Sequence, residues 1–398
     1  MIGNIQSMLI RRISKIKFLY DIHVRSICVQ VAILLLIIYM ISWIVGNIYN
    51  NMEKSNIVLG IKFLQERAGF EIDQGIMPYT GDNSYAMALV VGFVNTFTVA
   101  FLGIIPATLI GIVVGTGRLS KNKLASWICR VYVELFRNIP PLVVIFFWYR
   151  SVLSNLPSPE NSIALPFGIF LNNRGISLPS LIMDTNAKII LFTFLLGIIL
   201  SIVTLKLASQ FHKKTGQILP VLYISIFLIF GLPAFMCFAA GFNISFEYPI
   251  LGKFNFVGGY VIIPEFMSLY LALSFYTASF IAEIVRLGLI SVPPGQMEAA
   301  IALGLNPRKA TRLVVLPQAM RVIIPPLTSQ YLNLLKNSSL AVAVGFVDLV
   351  SVGGTIINQT GQAIEIIIIW MSVYLSLSIV ISMFMNWLNK KIALTEKR

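Results

Sequence analysis

Long apolar runs constrain the fold of this chain more than any other feature. A helix needs about 20 apolar residues to cross the hydrocarbon core of a bilayer, and eight runs of the sequence are that long. They lie at about 27–48, 87–116, 126–149, 187–208, 217–241, 265–288, 319–345 and 365–388. Inside a bilayer a helix satisfies its own backbone hydrogen bonds, which an open strand cannot do. The sequence therefore predicts an all-α, polytopic membrane protein with about eight transmembrane helices.

Composition excludes several other classes of protein. Only 12% of the 398 residues are charged and 57% are hydrophobic, whereas soluble domains carry about 25% charged residues. The net charge of +14 does not indicate nucleic-acid binding, because the basic residues cluster at the ends of apolar runs, where they set orientation and meet anionic lipid. Cys28, Cys129 and Cys237, with His23 and His212, show no metal-site or disulfide spacing. The sequence contains no motif for covalent catalysis, so we expect a non-catalytic protein.

The distribution of basic residues predicts the orientation of the chain. With the N-terminus in the cytoplasm, the predicted cytoplasmic segments hold 21 of the 30 Lys and Arg residues and the external segments hold 7. Cytoplasmic loops of membrane proteins carry such an excess of positive charge. We therefore expect both termini to be cytoplasmic, together with the segment at about 291–317. The external segments 49–84 and 150–186 are long enough to form small folded caps.

The segment at about 291–317 is more elaborate than a minimal connection between two spans. It begins with a Pro-Pro-Gly sequence at Pro293, has a helix-forming composition, and carries the basic residues Arg308, Lys309 and Arg312. A short charged helix at the cytoplasmic face is typical of a contact with a soluble partner. The segment therefore predicts a docking element.

The same segment resembles the EAA loop of permease subunits of ATP-binding-cassette (ABC) importers. The matching positions are Glu298, Ala299, Ala300, Gly304, Val314, Leu316 and Pro317. Val314 replaces the more usual isoleucine. Four further stretches resemble polar amino-acid permeases: Glu134–Pro141, Ala282–Arg286, Val292–Gln296 and Lys336–Leu340. Two more, Asn172–Gly175 and Asn358–Gln362, are similar to the general L-amino-acid permeases.

This resemblance implies a type I ABC permease of the bacterial inner membrane, with five of the eight spans forming the core. It implies as partners ABC ATPase subunits, a periplasmic amino-acid-binding protein, an amino-acid substrate, membrane lipid and a second permease subunit. The second permease is expected to be a paralogue, with a second copy of this chain as the alternative. ATP hydrolysis would take place in the ATPase, so this subunit would bind no cofactor. The implied coupling residues are Gln296, Glu298, Ala299, Ala300, Gly304, Leu316 and Pro317.

The resemblance also divides the chain into regions. Residues 1–84 would hold the cytoplasmic N-terminus, an anchor helix and an external loop. The permease domain would occupy 85–390, followed by a cytoplasmic tail at 391–398. Within the permease domain, the helix pair and loops at about 150–260 are an addition to the five-span core. We expect this addition at the periphery of the subunit and assign it no role.

Polar residues in the seventh run are candidates for the translocation pathway. A charge at the bilayer centre costs at least about 2.5–3.5 kcal/mol, so Lys336 should face protein or water. Pro325 and Pro326 are expected to break the helix before it. The candidate pathway or gate residues are Thr328, Gln330, Tyr331, Asn333, Lys336, Asn337, Ser338 and Ser339. The alternative is that these small polar side chains support packing between helices.

Two acid–base pairs have a spacing that allows contact on one helix. Glu134 and Arg137 are three residues apart, as are Glu283 and Arg286, and side chains at this spacing are neighbours. A structural ion pair is the favoured interpretation of both. The sharper hypothesis is a gate contact that breaks when the pathway opens.

Two other functions stay open on the residues alone. A self-powered secondary transporter or channel for small polar solutes would need ionisable residues deep within the spans, and inverted repeats. The acidic residues Glu134, Glu265, Glu283 and Glu365 all fall near predicted span ends, which argues against ion coupling. A scaffold that transports nothing would leave the polar residues of the seventh run unexplained.

Overall fold

Helices make up most of the structure, a computed structural model that describes residues 22–54, 60–182, 187–215, 220–239 and 245–392. In chain order the α-helices are α1 (Ile22–Lys54), α2 (Tyr85–Gly117), α3 (Lys123–Asn138), α4 (Pro141–Phe146), α5 (Ala187–Thr215), α6 (Val221–Ile226), α7 (Leu232–Ala239), α8 (Pro264–Ile290), α9 (Pro294–Ala302), α10 (Pro307–Ala310), α11 (Leu316–Asn337), α12 (Leu349–Thr360) and α13 (Ala363–Ile392). The strands are β1 (Ile163–Leu165), β2 (Ile169–Asn172), β3 (Gly175–Leu178), β4 (Ser180–Ile182), β5 (Ser245–Glu247), β6 (Ile250–Leu251), β7 (Phe256–Val257) and β8 (Tyr260–Ile262).

Four of these helices are unbroken and both long and apolar enough to cross a bilayer: α1, α2, α8 and α13. Two further candidates are bent pairs, α3 with Pro141–Asn155 at 110° and Pro307–Val344 with α12 at 54°. The inserted pair contributes shorter apolar helices at Phe192–Ala208 and Val221–Met236. The described residues thus hold four spans, or up to six if each bent pair is one span. Each of the eight predicted runs contains helix, but within the described residues only four helices are both long and apolar enough to count as unbroken spans.

Two prolines break the predicted span at 126–149. Ile139 has an extended backbone (φ −103°, ψ 134°), because the ring of the following Pro140 disfavours the helical conformation in the residue before it. Pro141 then starts α4, where its missing N–H is one that a helix leaves unpaired in any case. The predicted run at 126–149 therefore forms a bent pair of helices, which can still count as one broken span.

The other predicted break does not occur. Helix α11 runs unbroken through Pro325 and Pro326, because the fixed φ of proline is itself helical and each ring removes only one backbone hydrogen bond. Both prolines are exposed, so their rings point away from the buried face that carries Leu327. The chain leaves the α-helix later, in a 3₁₀ turn at Ser338–Val344 that ends at Gly345 with a φ of 80°.

The core forms where α2 packs along α8. A Cβ atom built on Gly111 would lie 2.5 Å from Ile281 Cγ2, and one on Gly115 would lie 2.6 Å from the carbonyl oxygen of Ala282. Small residues let transmembrane helices approach to backbone contact, which provides much of their packing energy. Helix α11 packs beside the same pair and adds its buried Leu334 to the core.

Replacing Gly115 by Ala is expected to lower the stability of the protein. The neighbouring atom is a backbone oxygen that cannot rotate away, so the methyl group forces the helices apart at a cost of about 1–3 kcal/mol. Gly46→Ala is the matched control, because no atom lies within 4 Å of a Cβ at that position of α1. Thermal unfolding in detergent should show a lower Tm for Gly115→Ala alone. An equal Tm for the two variants would contradict the close packing of α2 and α8.

The inserted segments add small antiparallel sheets, which the all-α prediction missed. Strands β1, β2, β3 and β8 form one sheet in that order, here named the β-module, while β4–β5 and β6–β7 form two-stranded ribbons. The β2–β3 hairpin turns at Asn172–Gly175, where Asn172 Oδ1 accepts a hydrogen bond from the N–H of Arg174 at 2.8 Å. Gly175 has a φ of 119°. The helical class is confirmed, with a small β addition made by residues 163–182 and 245–262.

Residues 60–84, named the cap, fold against the ends of three helices. Phe63 and Ile72 are buried in a cluster with Tyr85 of α2, Leu349 of α12 and Ile366 of α13. A polar contact adds to this packing, since the N–H of Gly60 donates to Glu365 Oε1 at 3.0 Å. The cap is therefore part of the folded subunit, as expected for a segment longer than a turn.

Candidate coupling segment and translocation pathway

The coupling segment, residues 291–317, folds as a short helical hairpin. Its first helix, α9, begins at Pro294, where proline suits the first helical turn. Asn306 begins the second helix, because its Oδ1 accepts a hydrogen bond from the N–H of Lys309 at 2.8 Å. The chain passes through one π-helical turn at Thr311–Val315 and enters α11. The two helices are each closed by local hydrogen bonds, which gives the hairpin a defined shape.

Gly304 makes the turn between the two helices. Its φ of 86° lies in the left-handed region, which glycine adopts without steric penalty. The N–H of Gly304 donates to the carbonyl of Ile301 at 2.9 Å, and that of Leu305 donates to the carbonyl of Ala300 at 3.1 Å. These two bonds form a Schellman motif, which satisfies carbonyls at the end of α9. Gly304 therefore makes a defined backbone turn between α9 and α10.

The Glu-Ala-Ala triplet does not present all of its side chains outward. Glu298 and Ala299 are exposed, whereas Ala300 is only 4% exposed and Ala310 of α10 is fully buried. The small side chain at position 300 therefore packs inside the hairpin, and its part in the coupling contact stays a prediction. Leu303, next to the turn, is 85% exposed and is the most prominent apolar side chain of the hairpin.

The remaining predicted coupling residues lie where the hairpin joins α11. Gln318 Nε2 donates to Gln296 Oε1 at 3.3 Å, which ties the start of α9 to the start of α11. Leu316 and Pro317 form the first turn of α11. The hairpin is thus fastened directly to the helix that bears the candidate pathway residues.

Glu283 lies between two arginines near the end of α8 that leads into the coupling segment. Arg286 Nη2 is 2.6 Å from Glu283 Oε1, so the predicted pair is formed. Arg118, which directly follows α2, pairs with the other carboxylate oxygen. The three side chains are 14–25% exposed. This Arg118–Glu283–Arg286 triad links α2 to α8 just before the hairpin.

The second predicted ion pair is not formed. No ion pair joins Glu134 to Arg137, although the structure describes both residues. The guanidinium carbon of Arg137 instead lies 5.4 Å from the ring centroid of Phe280 on α8, which is within cation–π range. A spacing of three residues places two side chains on one side of a helix, but it does not choose their rotamers. Here an aromatic ring on the neighbouring helix provides the partner.

The predicted pathway residues are divided between two faces of the seventh span. Asn333 and Lys336 are exposed, with Ser329 on the same side of α11, since residues three and four apart share a face. The opposite face carries Leu334 and Leu335, which are buried. One face of α11 is therefore polar and exposed, and the opposite face is apolar and packs in the core.

The other predicted pathway residues make contacts within the subunit. The hydroxyl of Tyr331 lies 2.8 Å from that of Thr108 on α2. The hydroxyls of Thr328, Ser338 and Ser339 donate to backbone carbonyls three or four residues earlier, at 2.7–3.0 Å. Gln330 and Asn337 are half-buried. The structure thus brings Asn333 and Lys336 together on the open face and turns several of the others toward helix contacts.

Sequence reasoning missed a buried polar cluster at the start of α12. Asp348 is 1% exposed, and its Oδ1 accepts a hydrogen bond from the N–H of Ser351 at 2.8 Å. The hydroxyl of Thr96 on α2 accepts from the N–H of Leu349 at 3.0 Å. An Asp directly before an apolar helical run is a recognised N-cap signal. The sequence therefore did contain the evidence that Asp348 begins α12.

Asn95, also on α2, extends this cluster to the cap. Its side-chain nitrogen donates to the backbone carbonyls of Gln74 and Val347, both at 2.8 Å. Gln74 in turn accepts a bond through Oε1 from the N–H of Val347 at 3.3 Å. The cap, α2 and the turn before α12 are therefore joined at one point.

Comparison with known proteins places the chain in a family. The family model described as "Binding-protein-dependent transport system inner membrane component" matches residues 196–394. The chain is 54% identical to the general L-amino acid transport system permease protein AapQ of Rhizobium johnstonii, over 95% of both chains. It is 43% identical to the putative amino-acid ABC transporter permease protein YhdX of Escherichia coli, over 94% of this chain and 95% of the other. It is 37% identical to the glutamate/glutamine/aspartate/asparagine transport system permease protein BztB of Rhodobacter capsulatus, over 95% and 96%. With this identity along nearly the whole length, the chain belongs to the family of inner membrane components of binding-protein-dependent transport systems.

Proposed function

We propose that this chain is the channel-forming subunit of an ATP-driven, binding-protein-dependent amino-acid importer. The observation that carries the proposal is the helical hairpin at 291–317, whose Leu303 is 85% exposed beside the left-handed Gly304. Ile301 and Leu313 of the same segment are also exposed, at 46% and 61%. Several large apolar side chains exposed on one short charged segment favour a protein contact there. The names of the three relatives, all amino-acid transport permeases, support amino acids as the cargo.

The hairpin would dock on a cytoplasmic ATPase subunit, which supplies the energy. Leu303 would insert into an apolar groove of that subunit, while Glu298 and Ala299 contact its rim. This subunit is then non-catalytic and binds no cofactor, and both termini lie in the cytoplasm, as the excess of basic residues there favours. An external binding protein would deliver the cargo, and a second permease would complete the channel.

The open face of α11 would line the channel. Asn333 and Lys336 are exposed on that face, and a charge within a span is too costly to leave against lipid. A water-filled path between this subunit and its permease partner satisfies both side chains. Tyr331, which is bonded to Thr108, would hold α11 against α2 while the path opens.

Reconstitution tests this function directly. The chain is purified with its ATPase, the second permease and the binding protein, and uptake of radiolabelled L-glutamine into liposomes is measured. We expect uptake only when Mg-ATP is on the ATPase side and the binding protein is on the opposite side. A complex with a catalytically inactive ATPase is the control and should not transport. Uptake that needs an ion gradient and no ATP would overturn the proposal in favour of a secondary transporter.

A further inference from the structure

A cavity of about 620 Å³ lies between the cap, α2, the β-module and the start of α8, on the predicted external side. Residues 73–76 of the cap form one wall with Asn95 and Thr98 of α2, and residues 259–263 form another. Phe346 closes the cavity next to Phe266, with ring centroids 5.8 Å apart. Phe346 follows the 3₁₀ turn that begins at Ser338, so this side of the cavity is connected along the chain to the candidate pathway residues of α11.

The wall formed by the cap and α2 presents hydrogen-bond acceptors. Asn95 is 3% exposed, and its side-chain nitrogen donates to two backbone carbonyls at 2.8 Å. These two bonds use both hydrogens of the Asn95 amide, so Asn95 Oδ1 can only accept. This oxygen lies beside Gly75, since a Cβ atom built on Gly75 would be 3.2 Å from it. The Thr98 hydroxyl donates to the carbonyl of Val94 at 2.7 Å and keeps its lone pairs. With the Asp73 carboxylate, this wall suits a cationic donor such as an ammonium group.

The opposite wall presents backbone donors. Side chains alternate along a strand, so five consecutive lining residues, 259–263, mean that the edge of the strand faces the cavity. Strand β8 lies at the end of its sheet and has β3 as its neighbour. An edge strand leaves a row of backbone N–H and C=O groups unpaired. Backbone N–H groups are good partners for a carboxylate.

We propose that this cavity is a receiving site for a free amino acid ahead of the translocation pathway. The α-ammonium group lies against Asp73 and Asn95, and the α-carboxylate lies against the edge of β8. The recognised groups are those that all amino acids share. The cavity volume leaves room for side chains of different size. This inference rests on the proposed function, and it assigns a role to the inserted segment that supplies β8.

Binding of radiolabelled L-glutamine to the assembled transporter in nanodiscs, without the binding protein, tests the site. Asp73→Asn should raise the Kd about tenfold, as expected for loss of one charge-assisted hydrogen bond. Asp82→Asn is the matched control on the same cap, since Asp82 is paired with Arg67 and is 80% exposed; its Kd should match the wild type. Glutaramate, which lacks the ammonium group, should bind the wild-type transporter about as weakly as L-glutamine binds Asp73→Asn. An unchanged Kd in Asp73→Asn would overturn the site.

A second measurement separates this cavity from any deeper site. Thr98→Cys, in a chain whose Cys28, Cys129 and Cys237 are replaced by serine, is labelled with a methanethiosulfonate reagent. L-glutamine should slow the labelling, and glutaramate should not. Labelling that is unaffected by L-glutamine would overturn the receiving site, while ATP-dependent uptake by the same preparation would leave the proposed function intact. Loss of ATP dependence in the wild-type complex would instead reject the proposed function.

Discussion

Replacing Gly304 by Val is expected to lower ATP-driven uptake by about tenfold while the chain still inserts in the membrane. The φ of 86° at Gly304 costs an L-residue about 1–2 kcal/mol, and more when the side chain is β-branched. The backbone would relax to a negative φ, which breaks the two hydrogen bonds that close α9. Leu303 would then leave the position that we propose for its contact with the ATPase. A strain of this size corresponds to about a tenfold fall in the competent population.

Two further variants show whether the backbone or the added bulk is responsible. Gly304→Asn should retain more uptake than Gly304→Val, because asparagine tolerates the left-handed region. Gly295→Val adds the same side chain to the same segment at a position where no atom lies within 4 Å of a Cβ. It should transport like the wild type. Uptake and co-purification of the ATPase are measured for each variant, and normal uptake with bound ATPase in Gly304→Val would contradict the coupling role.

The geometry of the coupling segment was predictable because local chemistry determines it. Pro294 at the start of α9, Gly304 at its end and Asn306 at the start of α10 each fix the backbone within a few residues. The inward position of Ala300 was not predictable in the same way. Its burial depends on the fold of the hairpin as a whole, and alanine suits both an inner and an outer contact.

Contacts between distant segments were beyond the reach of sequence patterns. Arg118 and Glu283 are 165 positions apart, and strand β3 pairs with β8 across the inserted helices. The bend at Pro140, by contrast, could have been predicted, because two adjacent prolines disfavour a continuous helix. The long apolar run around them suggested one continuous span instead. Strands of two to four residues are too short for their alternation to stand out from apolar surroundings.

Helix α2 connects the two ends of the candidate pathway. Asn95 joins it to the cap and to the turn before α12, while Arg118, at its other end, is paired with Glu283 beside the hairpin. With a rise of 1.5 Å per residue, these two points are roughly 35 Å apart along the helix axis. Close packing on α8 at Gly111 and Gly115 supports the helix between them. A rigid α2 would therefore hold the cap and the coupling hairpin in a fixed relation.

Removing the carboxylate of Glu283 is expected to lower the stability of the subunit far more than removing a carboxylate from an exposed ion pair. Glu283→Gln leaves Arg118 and Arg286 facing each other in a site where the side chains are 14–25% exposed. Removing one partner of a buried ion pair lowers the stability by about 3–5 kcal/mol. Because this site is partly exposed, we expect a loss at or below the lower limit of that range. Asp82→Asn is the control, because its pair with Arg67 is 70–80% exposed and such pairs contribute about 1 kcal/mol or less.

The rank order of the variants distinguishes the triad from two independent pairs. Arg118→Gln and Arg286→Gln should each cost less than Glu283→Gln, because the carboxylate keeps one arginine partner in either case. Combining Arg118→Gln with Glu283→Gln should cost less than the sum of the single changes, since the double variant removes a repelling charge together with its former partner. Thermal unfolding and ATP-driven uptake are measured for the four proteins. An additive cycle, or an Arg286→Gln variant worse than Glu283→Gln, would contradict a shared carboxylate that fastens α2 to α8 beside the hairpin.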